Sequence, residues 1–343
     1  LNISAETDGT LDAFDFGADA KMGEFNAVAT GSVENVLSDP DYTMQLSLKH
    51  ENLRNFARLF TDKYRPALAN PGVFSGTVHV VKNGNVWQLS DIDFNIGENG
   101  LSGSARYDAN AKMPKLSAVL ASGRLEPFSF LPRLNFLDPA DVDMSTTTTA
   151  EGSKEKQGFN LFSSLMKKRD FQKNQLDFSF LGNYEADIQL KAETLVFDKL
   201  VLNDVDLGLN LTPADVKLDI RHALWEGANV VSIATFKIEP DKSPSVVWRT
   251  RLADLPAVSK AFGSKGLDLS YQKMTIDINL SSQGKTANDM VNALLGGGRI
   301  SFSNPVLEGV DFAGMENALS ARGQAARDAL LNSAKTGKTL LSE

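Results

Sequence analysis

Cysteine is absent from this chain of 343 residues, and histidine occurs only three times. Without cysteine the chain can form neither a disulfide nor a cysteine-rich zinc site, and its absence is compatible with an oxidising compartment. His50, His79 and His222 each lie in or beside a strand pattern, and none has a second ligand at metal spacing. We therefore interpret them as surface or strand histidines and expect no metal site.

Long apolar runs and basic clusters are also lacking. No window approaches the roughly 18 uninterrupted apolar residues of a transmembrane helix. The 35 Lys and Arg residues stand against 43 Asp and Glu residues, and no basic run is long enough to follow a phosphate backbone. Nucleic acid is therefore not an expected partner. The chain begins at Leu1 without a signal pattern, so we interpret it as a piece of a longer protein.

The motifs of catalysis and nucleotide binding are incomplete. Residues 281–286 and 336–339 end like a phosphate loop, but Asn279 and Asn332 stand where its first glycine is required. The "GGGR" of 296–299 lacks the strand and helix that such a loop needs, and we interpret it as a bend or bulge. We therefore expect no catalytic residue, no enzymatic activity and no cofactor.

Alternation of apolar and polar residues is the main pattern that is present. Residues 204–220 carry an apolar side chain at every second position on both sides of a Thr212-Pro213 turn. Such alternation is typical of a strand with one wet and one apolar face. It recurs, with one slip in the sixth stretch, at 44–48, 78–80, 92–96, 116–120, 188–190, 233–238, 274–280 and 300–302. This spacing predicts a mainly β, antiparallel fold.

A weak internal repeat predicts short helices at the ends of the sheet. Residues 52–60 and 254–262 share apolar positions, and Asn52 and Asp254 stand where helix N-caps belong. Residues 124–134 are a looser third copy. Two good copies suggest duplication but do not fix a repeat length.

Three further segments differ from the strand pattern. Residues 138–158 are rich in Thr, Ser and charge and predict a flexible linker or insertion. Residues 160–171 place apolar side chains beside Lys and Arg, which indicates a packed connector or, less favoured, a basic amphipathic helix on an anionic membrane. From Phe312 to about Leu341, helical spacing of apolar residues predicts a terminal helix.

The order of strands and turns carries a family resemblance. The relevant stretches are "LDFSFLGNYEADIQLKAETLVFDKLVLNDVDLGLNL" (176–211), "ALWEGANVVSIATF" (223–236) and "LDLSYQKMTIDINLSSQGKTANDMVNALLGGGRISFSNPVLEGVDF" (267–312). Together they resemble the C-terminal domain of AsmA-like proteins, the AsmA/TamB-type proteins of the Gram-negative envelope. Glu226 departs from the family's usual glycine. Residues 72–127 are similar to the middle repeat of the same proteins.

The resemblance implies a division of the chain into four parts. Residues 1–137 would be a β-rich AsmA-like repeat region, and 138–175 a flexible linker or insertion with a short basic amphipathic segment. Residues 176–311 would form the AsmA-like C-terminal β domain. Residues 312–343 would form the terminal helix, cut off before further strands.

The resemblance also implies a location and a function. Such proteins are periplasmic, are anchored in the inner membrane by an N-terminal helix, and belong to the bridge-like lipid transfer superfamily. Their strongly curved sheet forms an open apolar groove that holds phospholipid acyl chains. They support lipid transport between the inner and outer membranes and outer-membrane biogenesis. The resemblance implies no catalytic residue.

Two interpretations of the apolar strand faces follow. Alternation alone favours the sealed core of a sandwich, whereas the resemblance favours a lipid-holding groove. The residues expected to line the groove are Val205, Leu207, Leu209, Leu211, Leu218, Ile220, Met274, Ile276, Ile278 and Leu280. The alternative function is that of a structural or assembly factor, which binds outer-membrane proteins or assembly components through exposed sheet edges.

Overall fold

The structure is a computed structural model, and it describes most of the chain. The described residues are 2–58, 71–130, 184–197, 200–213, 215–238, 243–256, 268–320 and 322–341. The predictions for 138–158 and 160–171, and most of the predicted helix at 254–262, lie outside these residues.

The described part is mainly β, as the alternation predicted. One sheet contains 15 strands, whose order in space follows their order in the sequence. These strands are β1 (Asn2–Gly9), β2 (Ala13–Met22), β3 (Phe25–Glu34), β4 (Asp41–His50), β5 (Phe74–Asn83), β6 (Val86–Ile96), β7 (Asn99–Asp108), β8 (Lys115–Leu125), β9 (Glu185–Phe197), β10 (Leu200–Leu211), β11 (Asp215–Trp225), β12 (Ala228–Ile238), β13 (Pro244–Pro256), β15 (Lys273–Gln283) and β16 (Leu295–Ser303). A separate small sheet consists of β14 (Asp268–Ser270), β17 (Val306–Glu308) and β18 (Lys338–Leu340).

Short helices join or follow the strands. They are α1 (Leu53–Arg58), α2 (Pro127–Phe130), α3 (Ala287–Asn292), α4 (Phe312–Ser320) and α5 (Gln324–Ser333). None of the described helices has the length and apolar character needed to cross a bilayer.

The pairing of the large sheet differs from the prediction at one place. Every neighbouring pair of strands is antiparallel except β8 and β9, which run parallel. These two strands lie on either side of residues 138–175, so strands from both predicted β regions belong to one sheet. Within the described residues the sheet does not close, because β1 and β16 each pair with a single neighbour. The predicted division into domains stays a prediction.

The predicted short helices are partly confirmed. Asn52 caps α1, since its Oδ1 accepts hydrogen bonds from the backbone N–H groups of Arg54 at 2.9 Å and Asn55 at 3.2 Å. The looser third copy contains α2. The predicted N-cap Asp254 is wrong: this residue lies within β13, where it adopts a left-handed φ of 61°.

Two other predictions are also corrected. The single terminal helix is wrong, because α4 and α5 are separate helices and β18 follows them. Gly323 lies between them with a φ of 94°, a conformation that a continuous helix cannot contain. The glycines of 296–299 form neither a bend nor a bulge, since they pair with β15 in regular register as part of β16.

The strand ends form two opposite rims of the large sheet. We call one the helix rim, because α1 joins β4 to β5 there, α2 follows β8 there, and β16 ends there before the small sheet and α4. We call the other the turn rim, because short turns join β1 to β2, β5 to β6 and β10 to β11 there. Of the described helices, only α3 follows a strand end at the turn rim.

Candidate functional site

Most strands of the large sheet have one mainly apolar and one mainly polar face. In β10, Leu207 and Leu209 point to the face opposite Asp206 and Asn210, because successive strand residues alternate. Residues paired directly across neighbouring strands point to the same side of a sheet. The side that carries Leu209 is the apolar face, and the other is the polar face.

The apolar face is continuous across the whole large sheet. Direct pairing connects one residue from each of the 15 strands, and we call this set the central row. Its members are Thr7, Phe16, Gly31, Met44, Val80, Leu89, Ala105, Ala118, Ile188, Leu209, Leu218, Ala234, Trp248, Leu280 and Gly296. Apart from the threonine and two glycines, every member is apolar. At about 4.8 Å between strands, the row extends for about 65–70 Å.

A second row runs parallel to the central row along the turn rim, and we call it the turn-rim row. It extends from β1 to β15. Its members are Gly9, Phe14, Val33, Tyr42, Lys82, Trp87, Tyr107, Leu116, Ala186, Leu211, Val216, Phe236, Val246 and Ser282. It is also mainly apolar, but it contains more polar side-chain atoms than the central row, including the ammonium group of Lys82.

All ten residues predicted to line a groove lie on the apolar face. Within β10 and β11, Leu207 pairs with Ile220 and Leu209 pairs with Leu218. Val205 and Met274 are each only 3% exposed. The other eight are half-buried: Leu207, Leu209, Leu211, Leu218, Ile220, Ile276, Ile278 and Leu280.

The predicted groove lining left out the two strands that connect these groups. Ala234 of β12 and Trp248 of β13 lie between Leu218 and Leu280 in the central row. The slip in the alternation at 233–238 is not a bulge, because these residues pair with β13 without a register shift and Ile233 points to the polar face, opposite Arg249. An apolar residue on the wrong face broke the alternation and hid the true apolar positions of this strand.

Burial varies across the apolar face. Near the helix rim, Leu195 is 1%, Leu202 3% and Ala223 0% exposed. At the turn rim, Leu211 and Val216 are only half-buried. The apolar clusters consist of neighbouring strands of this one sheet, with Phe130 of α2 packed against the cluster around Leu195 at the helix rim. Among the described residues, the face is therefore covered best at the helix rim.

Register shifts interrupt β6, β10, β11 and β13, and three of these irregularities contain an aspartate in the left-handed region. Asp91, Asp204 and Asp254 have φ values of 51°, 50° and 61° and lie at register shifts in β6, β10 and β13. Each follows a leucine by two positions, in "LSDI", "LNDV" and "LADL". A bulge adds a residue, bends its strand and increases the local twist.

The bulges keep the apolar face continuous. Leu89 and Ile92 are three positions apart, yet both contact the same apolar cluster. Leu202 and Val205 do the same in the other cluster. The extra residue in each bulge shifts the alternation by one position. The apolar side chain that follows therefore points to the apolar face, where strict alternation would have placed it on the polar face.

Cross-strand ion pairs occupy the polar face. Arg221 of β11 donates hydrogen bonds to Asp206 of β10, and this contact raises the pKa of the guanidinium above its usual value. Lys273 lies 3.0 Å from Asp254, and Arg251 lies 3.7 Å from Asp277. Exposed ion pairs of this kind contribute little to the stability of the fold, but their charges favour exposure of this face to water.

The three histidines do not come together. His50 lies at the end of β4, where its Nδ1 accepts a hydrogen bond from the Asn52 backbone N–H at 3.0 Å. His79 lies in β5, and His222 lies 3.2 Å from an Asp204 carboxylate oxygen. Within the part of the chain that the structure describes, no three His, Cys, Asp or Glu residues are grouped as metal ligands.

Comparison with known proteins does not identify a family for this chain. The chain matches no family model, no curated protein and no solved structure.

Proposed function

We propose that this chain holds phospholipid acyl chains on its apolar face and supports lipid transport between the inner and outer membranes of a Gram-negative bacterium. In this proposal it is the periplasmic part of an AsmA-like protein that is anchored in the inner membrane and contributes to outer-membrane biogenesis. The observation that carries the proposal is the central row, which crosses all 15 strands without a charged residue.

The partial exposure of this face supports a groove more than a sealed core. A sandwich core excludes water from the inward side chains of both sheets. Here Leu209, Leu218 and Ile278 are half-buried, and Trp248 is 44% exposed. A lipid chain could therefore contact these side chains without displacing another layer of described protein.

A strong curvature of the sheet is part of the proposal. The bulges at Asp91, Asp204 and Asp254 support it, since each bends its strand. A curved sheet would place the apolar face on the concave side and leave the ion-paired polar face in water.

The energetics of transfer are compatible with a continuous apolar path. Two acyl chains contain about 30 methylene groups, so exposing them to water costs about 24 kcal/mol at about 0.8 kcal/mol each. A path of about 65–70 Å that replaces most of this contact would allow movement at nearly constant free energy. The direction of movement would then be set by lipid gradients or by a partner.

The proposal can be tested by asking whether the purified chain carries lipid. After incubation with vesicles of phosphatidylethanolamine and phosphatidylglycerol, native mass spectrometry should detect phospholipid on the chain. Leu209→Asp should carry less lipid, because it places a charge in the central row. Asn210→Asp, one position away on the polar face, should carry as much as the unchanged chain. Absence of lipid, or equal loss in both variants, would contradict the proposal.

The exposed sheet edges favour a second candidate function. Residues 291–300, which include most of β16, are exposed, and β16 pairs only with β15 among the described strands. An unpaired edge can accept a strand from another protein. The chain would then be an assembly factor for outer-membrane proteins. Capture of an outer-membrane β-strand peptide by β16, in the absence of lipid binding, would favour this function.

A further inference from the structure

The two rims of the apolar face differ in their aromatic residues. At the helix rim, Phe56 of α1 packs on Phe74 with ring centres 4.8 Å apart and on Phe25 at 5.7 Å. Further along the same rim, Phe128 of α2 packs on Phe197 at 5.7 Å. These contacts bring short helices onto the strand ends with rings that carry no polar atom, and Trp225 of β11 is the tryptophan at this rim.

The turn rim also has Phe14 and Phe236, but on β4, β6 and β7 each of its aromatic residues carries a polar atom. Tyr42, Trp87 and Tyr107 are members of the turn-rim row on β4, β6 and β7. The rings of Tyr42 and Trp87 meet edge to face, with centres 5.3 Å apart. Tyr184, which directly precedes β9 at the same rim, is 51% exposed.

A positive charge lies within this aromatic group. Lys82 pairs directly with both Tyr42 and Trp87 in the sheet. Its Nζ lies 5.7 Å from the centre of the Tyr42 ring, 3.0 Å from an Asp39 carboxylate oxygen and 2.7 Å from the Pro40 carbonyl oxygen. Lys82 is the only member of the central and turn-rim rows that carries a formal charge.

These residue types differ in whether they are stable beside the headgroup or beside the acyl chains of a lipid. Tyrosine and tryptophan have one apolar and one polar end, and they concentrate where hydrocarbon meets water. An ammonium group is costly among acyl chains but is stable at the level of the headgroups. Phenylalanine has no group that needs water. The turn rim is therefore suited to headgroups and the helix rim to hydrocarbon.

We propose that lipid lies across this sheet in one orientation, with its phosphate headgroups at the turn rim beside Lys82, Tyr42, Trp87 and Tyr107. The acyl chains extend from there over the central row towards the helix rim. This orientation rests on the proposed lipid-holding function and adds the headgroup site to it. The burial gradient agrees with it, because the turn rim is the less covered of the two.

The tryptophans provide natural reporters of lipid orientation. Trp87 belongs to the turn-rim row, and Trp248 belongs to the central row, two residues or about 7 Å inward. Trp225 lies at the helix rim, nine residues from Val216 and therefore about 30 Å along β11. Since the chain has 3 Trp, two Trp→Phe substitutions leave each as the single reporter.

The experiment measures fluorescence quenching by nitroxide lipids bound to the chain. Each single-tryptophan variant is loaded from phosphatidylglycerol vesicles containing phosphatidylcholine with a nitroxide on the choline, and is then separated from the vesicles. We expect quenching to decrease in the order Trp87, Trp248, Trp225, with a severalfold difference between the first and last. A nitroxide at the end of the acyl chain should reverse the difference between Trp87 and Trp225.

The possible outcomes test the proposed lipid orientation separately from the proposed lipid-holding function. Recovered lipid with equal quenching at Trp87 and Trp225, or stronger headgroup quenching at Trp225, would overturn the orientation and leave the lipid-holding function intact. No recovered lipid with any variant or with the unchanged chain would overturn both.

A second measurement needs no tryptophan substitution. Lys82→Met should lower the recovered ratio of phosphatidylglycerol to phosphatidylcholine, because it removes the ammonium group from the headgroup site. Lys49→Met changes a lysine on the polar face, where Lys49 pairs with Ser75 and its side chain is 58% exposed. That variant should leave the ratio unchanged. An unchanged ratio in Lys82→Met would overturn the assigned headgroup site.

Discussion

Leu209→Asp places a carboxylate in the middle of the central row, and its effect on stability depends on what covers this row. Leu209 is half-buried, so the substitution loses about half of the roughly 1.5–3 kcal/mol that full burial of a leucine contributes. The new carboxylate can reach water across an open face and adds no large desolvation cost. We expect the free energy of unfolding to fall by about 0.8–1.5 kcal/mol.

Leu195→Asp is the matched buried substitution, since Leu195 is 1% exposed. It removes a complete leucine contact and leaves an unpaired charge in the interior, which together cost more than about 5 kcal/mol. That loss is comparable with the whole stability of many domains. Asn210→Asp is the surface control: it pairs with Lys217 and should change stability by less than about 0.5 kcal/mol.

The assay is urea denaturation at neutral pH, followed by the circular dichroism of the strands. Leu209→Asp should remain folded with a slightly lower midpoint, and Leu195→Asp should be unfolded or nearly so. If Leu209→Asp unfolds like Leu195→Asp, the central row is a sealed core and the groove is refuted.

Two further predictions concern a close backbone approach and a titrating carboxylate. Gly31→Ala should lower the free energy of unfolding by about 1–3 kcal/mol, because the added Cβ would overlap the Thr43 carbonyl oxygen. Gly17→Ala in the neighbouring strand should be nearly neutral, since nothing lies within 4 Å of the added Cβ. Equal urea midpoints for the two variants would contradict this. The pKa of Asp41 lies below its usual 3.8, mainly because the Gly84 backbone N–H donates to its carboxylate at 2.7 Å. The resulting stabilisation is present above the usual pKa of 3.8 and is lost as pH falls through the lower, folded pKa. Asp41→Asn should therefore flatten the fall in the urea midpoint as pH decreases from about 5 to below the usual pKa. An unchanged slope would count against this role.

The sequence predicted most of the strands whose apolar faces are built from large residues, although not β13. The β10–β11 hairpin was identified because leucines recur at every second position around the Thr212-Pro213 turn. The first three strands were not identified, since their apolar face consists largely of small residues such as Ala18, Ala29 and Gly31. Small residues give a weak hydrophobic signal, yet they pair in the same rows as the leucines.

Irregular positions explain most of the remaining differences. The bulge residues Asp91 and Asp204 shift the alternation by one position, which a strict period of two cannot anticipate. The parallel pairing of β8 with β9 depends on how two segments far apart in the sequence meet. The rows themselves depend on the register of 15 strands, and local alternation gives the face of each strand but not its register.

Photo-crosslinking in the bacterial envelope tests the central claim most directly. A photoreactive residue at Leu207, Leu209 or Ile276 should capture phospholipid, because all three side chains lie on the apolar face. The same residue at Asp206 or Asp277 should not, because these positions lie one step along the strand on the polar face. Phospholipid captured only from the apolar face is the result that the lipid-holding proposal predicts. Capture from neither face, or equally from both, would contradict it.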